Sequence, residues 1–548
     1  MFVQPLAPLG GSLAWSAVAA AVPLVLLFLL LGVFKVKAWL SSLIGLAASI
    51  LLAIVIWKMP VVMALSATAE GAFYGAFPIL WILLNAIWIY QLSVVTGWFD
   101  VLGARIRAIS DDQRILAILV AFCFGALMES LAGFGAPVAI SAAMLIAAGM
   151  KPMKSAIVSL LANTAPVAFG AMGAPIIALA AVTGIDTHTL SSMAGRQTPF
   201  VALFVPLILV FLVDGKRGIK QTWPVALVAG ATFGIAQFIT SNFITVEITD
   251  IVAAIVTVVV VLLMLRVWKP ANELRLTDTD EHDNVAELTG TTADETPVVT
   301  TQGAKRTWGA MAPYLVIIGI FTISQLPFVK SWLTAHGSVS FSWPGLDVGN
   351  ASGKPVSTTI FKLDHIKATG TLLFLAGVVT CFIYKINVKR AASAYWDTLV
   401  KLKFTIVTVL AVLALSFVMN LSGQTTSLGT ALASAGSLFV LLSPVIGWLG
   451  VAITGSDTSS NSLFGLLQVT AANQAGLNPV LMATTNSSAG VLGKMISPQN
   501  LAVAAAAVGM AGKEGDIFRK LVGWSLGILA CFAVLVVLQS SVLSWMVP

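Results

Sequence analysis

The chain has 548 residues, of which 58% are hydrophobic and only 10% charged. A soluble globular protein carries about 25% charged residues, so a soluble domain is excluded and the repeated apolar runs read as an all-α polytopic membrane protein. The net charge of +7 comes from Lys and Arg scattered between apolar runs; this fits cytoplasmic loops and excludes a nucleic-acid surface.

Sides are assigned by counting Lys and Arg in short loops. The first apolar run, 12–34, has no positive stretch before it and reads as an uncleaved span rather than a signal peptide. Lys35 and Lys37 follow it and are placed in the cytoplasm, which puts the N-terminus outside. Span 38–57 returns outward. The third span lies within 64–98, its first turns a candidate surface helix, and ends at the basic inside loop with Arg105, Arg107 and Arg114. The segment 115–149 has basic residues at both ends, Arg114 and the Lys151/Lys154 pair. Two full spans of about 17–25 residues each would be cramped there, so a re-entrant hairpin entering from inside is expected, turning at Glu129–Pro137. Segment 155–184 runs outward but is interrupted: Asn163, Thr164, Pro166, Gly170, Gly173 and Pro175 crowd its middle. Proline removes a helix hydrogen bond, glycine weakens the helix, and freed backbone groups in hydrocarbon need other partners. Two half-helices joined by unwound backbone are expected. Spans 198–213, 222–243 and 248–267 complete a first half, 1–267, with the basic loop Asp214–Lys220 inside.

Residues 268–308 read as a cytoplasmic, disordered linker. Between Ala271 and Glu295 there are eight acidic residues and one basic, and hydrophobicity is low. The second half, 309–548, begins with span 309–329, a polar loop 330–366 and span 367–384. Span 404–422 follows. Segment 428–470 has no Lys or Arg in it or beside it, and reads as a second hairpin, entering from outside and turning near Gly455–Asn461. A second broken span, 479–510, runs inward to Lys513, Arg519 and Lys520, and a last span, 520–546, leaves the C-terminus outside. The expectation is about twelve transmembrane helices plus two re-entrant hairpins, in two repeats of inverted topology.

The two broken spans align without gaps. Asn163, Gly170, Met172 and Pro175 fall at the same offsets as Asn486, Gly493, Met495 and Pro498. Each follows a Gly/Ser-rich stretch with an embedded carboxylate, Glu129 or Asp457. Gly and Pro are common in membrane helices, but interruptions matched between two halves point to a transport site.

Phe124-Gly-Ala-Leu-Met-Glu129-Ser-Leu-Ala-Gly-Phe-Gly-Ala-Pro137, Asn163-Thr-Ala-Pro-Val-Ala-Phe-Gly-Ala-Met-Gly173, Thr454-Gly-Ser-Asp457-Thr-Ser-Ser-Asn461 and Gly493-Lys494-Met-Ile-Ser-Pro498-Gln499 resemble the bacterial L-lactate permease family, and the similarity runs from about Pro23 to the C-terminus. One departure is Ser130, where the resemblance leads one to expect glycine. The resemblance implies import of L-lactate, D-lactate and glycolate with a proton as coupling ion, and no cofactor. It also implies residence in a bacterial inner membrane, within a larger superfamily of inverted-repeat ion transporters with re-entrant hairpins, often dimeric; a homodimer is therefore the expected assembly.

A 2-hydroxy monocarboxylate needs positive potential for its carboxylate and hydrogen-bond partners for its hydroxyl. Half-helix N-termini offer free N–H groups and partial positive charge. Glycines at the breaks, Gly133, Gly135, Gly170 and Gly493, allow close backbone approach. Ser456, Thr458, Ser459, Asn461, Asn163 and Asn486 supply side-chain partners, though each is equally suited to capping a broken helix. Charges at membrane depth are functional candidates by default. Lys494 is the candidate for the substrate carboxylate, the alternatives being a salt bridge to Asp457 or Glu129, or snorkelling toward water. Glu129, ahead of Asp457, is the candidate proton carrier; Asp457 among Ser, Thr and Asn also suits a hard cation. Glu70 and Arg196 are ambiguous, placed near span ends.

Other classes fare worse. His188, His282, His336 and His365 all lie outside the expected spans, so haem or His-metal chemistry within the bilayer has no ligands, and Cys123, Cys381 and Cys531 have neither disulfide nor metal spacing. An enzyme is not expected. A channel and a sodium-coupled organic-anion carrier remain as alternatives, the latter the nearer.

Overall fold

In hydrocarbon each backbone N–H and C=O must be satisfied within the protein, and a chain with this apolar pattern does so by forming helices. The computed structural model describes residues 1–107, 109–133, 135–270, 273–274, 304–356 and 359–548. Among the described residues nine helices are long and apolar enough to cross a membrane, or up to eleven if each bent pair is one span. These helices do not fix the expected count of twelve, and the expected spans differ from them in several places. The helix Thr198–Phe243 turns back at Asp214–Gly215, where the backbone leaves helical geometry. Its two arms pack so closely that Gly230 lies against the Ala202 and Leu203 carbonyls; they are the expected spans 198–213 and 222–243. The apolar helix Thr369–Ile383 and the polar helix Pro479–Lys494 are shorter than a full span. Conversely, Gln113–Leu131 and Gln424–Thr454 have span length, although the sequence pattern assigns them to hairpins. The first of these is wholly buried inside the bundle, as an arm shielded from lipid would be.

Hydrogen bonds gather the basic loops at one end. Arg114, fully buried, donates to Asp112, to Asp214 Oδ2 at 3.0 Å and to Gln221 Oε1 at 2.7 Å. Lys154 Nζ donates to the Val213 carbonyl at 2.7 Å. The Leu274 N–H donates to Asp112 Oδ2 at 3.2 Å, tying the start of the acidic linker to the same cluster. The rest of that linker, 275–303, lies outside the described residues, as does His282, and the next helix, Ala304–Gln325, begins earlier than expected.

The loop 330–366 is not the plain polar connector expected. It follows a helix, Pro327–His336, and its strand Ser338–Ser342 pairs antiparallel with Ile360–Asp364. Val348–Gly349 pairs with the N-terminal Phe2–Val3, and the Met1 ammonium meets Asp347 at 2.9 Å. The alternation of Val339, Phe341, Phe361 and Leu363 with polar residues carries the strand signal. The third expected span is also different. It is helix Val61–Tyr74, a break around Phe77, where φ is −143°, and helix Trp81–Val95. Glu70 is buried there, with neither carboxylate oxygen hydrogen-bonded among the described residues.

Helices inside the bundle touch through small residues, as expected where packing rather than the hydrophobic effect drives helix association. A Cβ on Gly447 would lie 2.3 Å from the Asn486 carbonyl oxygen, a backbone atom that cannot rotate away. Gly447→Ala is therefore expected to cost about 1–3 kcal/mol by overpacking and to lower the unfolding temperature in detergent. Gly319→Ala, where nothing lies within 4 Å, is expected to leave it unchanged or raise it.

Candidate functional site

Four helix breaks meet in the interior. The first hairpin consists of the arm Gln113–Ala132, Gly133 and Gly135 at its turn, and the helix Ala136–Ala147. The first broken helix pairs Pro152–Ala162 with a second half ending at Thr183, bent by 62°. Its break spans Ala171, Met172 and Gly173, three consecutive left-handed residues at φ of 44°, 57° and 74°. Non-glycine residues in that conformation cost roughly 1–2 kcal/mol each, so strain is held where the chain lines the site. The second hairpin is Phe439–Thr454, a tip at left-handed Gly455 and Ser456, and Asp457–Ala475. The second broken helix is Pro479–Lys494, Met495–Ser497, then Pro498–Ala507. The two broken helices are not strict copies. The first unwinds from Asn163 onward, while the second stays helical through Asn486 and breaks only after Lys494.

Each element brings one helix C-terminus and one N-terminus to the junction. Lys494 sits in the last turn of its helix and Asp457 in the first turn of its own, the positions at which a helix dipole favours each charge. Lys494 Nζ donates to Glu129 Oε1 at 2.6 Å and to the Gly133 carbonyl at 3.0 Å. Both side chains are buried, 7% and 2% exposed, so the pair is screened little by solvent. Of the alternatives left open by the sequence, the Glu129 salt bridge is the one formed. The two glycines on either side explain how the carboxylate fits: a Cβ on Gly133 or on Gly170 would lie 2.8 Å from Glu129 Oε1. Asn163 lies beside the same carboxylate. Asp457 Oδ2 accepts from Ser487 Oγ at 2.6 Å and from Asn461 Nδ2 at 3.5 Å, while its Oδ1 has no partner among the described residues.

Between these groups is a cavity of about 30 Å³, lined by Glu129, Gly133, Val167, Gly170, Ala171, Pro175, Gly455, Ser456, Asp457, Thr458 and Lys494. It has room for about two waters, too little for a small organic acid beside the intact ion pair. A larger groove of about 650 Å³ lies between the arms of Thr198–Phe243 and the C-terminus. It is lined by apolar side chains apart from Arg196 and contains none of the buried carboxylates.

Of the expected binding residues, Gly133, Gly170, Ser456, Thr458 and Lys494 come together on the cavity with Glu129 and Asp457. The others do not. Asn486 Nδ2 donates to Asn461 Oδ1 at 2.9 Å and Asn461 Nδ2 to the Pro175 carbonyl at 3.0 Å; both asparagines lock elements together behind the site. Gly493 is a packing position, its missing Cβ replaced by the Trp448 carbonyl. Gly135 packs on Val503, and the Ser459 N–H donates to the capping hydroxyl of Ser456 at 3.3 Å. Gly170 and Gly133 make room for Glu129 rather than for a ligand. Sequence reading did not place Ser487, Val167, Ala171 or Pro175 at the site; the last three stood inside the quoted break and were legible as backbone, not as side chains. Arg196 bonds Asn242 Oδ1 at 3.0 Å and the Met546 carbonyl at 2.7 Å, and His188 Nε2 is 3.1 Å from the Asn242 carbonyl oxygen; both belong to the bundle's end. Ser130 is absorbed by the helix, its Oγ donating to the Leu127 carbonyl at 2.6 Å.

A family model described as L-lactate permease matches residues 16–543. The chain is 40% identical over 566 residues to the L-lactate permease of Bacillus subtilis (strain 168), covering 100% of each. It is 40% identical over 556 residues to the glycolate permease GlcA of Escherichia coli (strain K12), covering 100% of this chain and 99% of that one. It is also 40% identical over 550 residues to the L-lactate permease of the same strain, covering 98% of each.

Removing one member of a buried pair strands the other charge, at about 3–5 kcal/mol, whereas removing both is far cheaper. Glu129→Gln, which strands the Lys494 ammonium, is therefore expected to lower the unfolding temperature more than the double variant Lys494→Ala/Glu129→Gln. Thermal unfolding of both single variants and the double variant in detergent checks this.

Proposed function

The chain belongs to the L-lactate permease family, and on that premise we propose that it imports L-lactate, and with it D-lactate and glycolate, in symport with protons by alternating access. The observation that carries the reading is the Lys494–Glu129 pair at the junction of four helix breaks. The cation this junction offers a substrate carboxylate is Lys494, and Glu129 already holds it. To take Lys494 the substrate displaces Glu129, leaving that carboxyl buried without its counter-charge. A buried, unpaired carboxylate is far more costly than a neutral carboxylic acid. Glu129 therefore takes up a proton as the substrate binds, and substrate and proton enter together. Ser456, Thr458 and the Gly133 carbonyl flank the same cavity and are assigned to the substrate's hydroxyl.

The two hairpins enter from opposite sides, the first from the cytoplasm and the second from outside, so that the repeats are inverted and opening alternates around the shared centre. The protein resides in the bacterial inner membrane with both termini outside, and works as a homodimer. Relatives at the same identity are named for L-lactate and for glycolate, which is why both acids enter the proposal.

One observation favours a second reading. Asp457 Oδ1 is buried without a partner among the described residues, beside Ser456 and Thr458, an oxygen-rich corner suited to a hard cation such as sodium. In that case Asp457 binds the coupling ion and Glu129 only holds Lys494.

In vesicles containing the purified protein, Lys494→Ala is expected to abolish lactate binding. Glu129→Gln, which leaves Lys494 free at all times, is expected to lose proton-driven accumulation while keeping lactate exchange. Uptake and counterflow of labelled L-lactate measure both; normal accumulation by the two variants would overturn the site assignment.

A further inference from the structure

Another buried carboxylate lies close to this centre. Asp250 is in the first turn of helix Thr249–Val267 and is fully buried. Its Oδ1 accepts from Gln237 Nε2 at 3.0 Å; its Oδ2 has no partner among the described residues. Gln237 is fixed on its other side, its Oε1 accepting from Thr198 Oγ1 at 2.8 Å, and its Nε2 lies 3.5 Å from the Ala165 carbonyl in the break of the first broken helix. So Gln237 ties Asp250 to the unwound backbone next to Asn163, which lies beside Glu129. The same short loop before the helix also touches that break: Val246 fills the space a Cβ on Gly173 would take.

Glu129, Asp457 and Asp250 are buried carboxyls, and the buried ammonium at the junction, Lys494, sits against Glu129. Lys494 is committed to Glu129, and an ionised Asp250 would have one hydrogen bond and a second carboxylate, Glu129, near enough to repel it. Burying such a charge is expensive. The other charged groups on packed elements do not relieve it. Arg114 and the Asp214–Lys220 turn lie at the far end of their helices. Cys123 and Tyr314, on neighbouring elements, offer no positive charge.

We propose that Asp250 is a second proton-holding residue of the transport cycle, the group through which the outer end of the bundle delivers the symported proton to Glu129. The proposal rests on the proton-symport reading. With the site empty, Glu129 is ionised against Lys494 and Asp250 carries a proton. When the substrate carboxylate takes Lys494, the Asp250 O–H bond breaks and one forms on Glu129. Asp250 then takes a proton from the end where its helix begins, which the Lys/Arg count assigns to the outside. Loaded, both carboxyls are neutral, and one proton has been bound with one substrate anion.

The test uses the full-length protein in proteoliposomes, comparing wild type, Asp250→Asn and Asp250→Glu. Labelled L-lactate counterflow is measured at equal pH on both sides, and accumulation is measured under an inward proton gradient at several external pH values. The expected result is that Asp250→Asn keeps counterflow within about twofold of wild type but loses at least tenfold in accumulation, and that Asp250→Glu restores pH-dependent accumulation. Wild-type accumulation and pH profile in Asp250→Asn would overturn the proposal. So would equal loss of counterflow and accumulation in Asp250→Asn with no rescue by Asp250→Glu, which marks a purely structural role. If wild type accumulates lactate only with sodium, the underlying proton reading fails instead, and the wild-type control shows that before any variant is compared.

Discussion

A lysine and a glutamate held 2.6 Å apart in the interior of an apolar bundle set the terms for everything around them. In water the pair would be worth little. Buried, it is costly to assemble and more costly to break from one side. It persists because three elements shape a space for it: the last turn of helix Pro479–Lys494 aims the ammonium, the Gly133 carbonyl takes a second of its protons, and the absent side chains of Gly133 and Gly170 leave room for the carboxylate. An anion that enters this space competes with a carboxylate already in place. That competition is what the proposed coupling rests on.

The surrounding bundle keeps the junction fixed. Asn461 and Asn486 join the second hairpin to both broken helices, and close glycine contacts bring backbones together where side chains would hold them apart. The interruptions themselves are held by strain and caps: left-handed Ala171 and Met172 in one repeat, Ser497 capping the next half-helix in the other. Breaks of this kind expose backbone groups only where they line a cavity, the arrangement that membrane burial permits.

Much of this was legible in the sequence because charge and helix-breaking residues are rare in a chain of this composition. Glu129, Asp457 and Lys494 stand out against apolar surroundings, and the doubled Asn–Gly–Met–Pro spacing marks both broken helices. What was not legible is whether a polar residue faces the cavity or a neighbouring helix. Asn486 and Asn461 have the chemistry of ligands, but their registers point them at each other. Gly493 matches Gly170 in spacing yet meets a backbone carbonyl rather than a carboxylate. Asp250 passed unnoticed because it stands at the start of an expected span, where an acidic residue ordinarily faces water; tertiary packing, absent from any local pattern, buries it. The strands of 338–364 and the break at Phe77 were missed for a similar reason, the apolar alternation being short and the surrounding helix signal long.

The most direct test of coupling is uptake of labelled L-lactate into vesicles of the purified wild-type protein, with a pH gradient or a sodium gradient imposed in turn. The account predicts accumulation above equilibrium with an inward proton gradient and no sodium, matched by proton entry. A strict requirement for sodium, or lactate movement only down its own gradient, would contradict it.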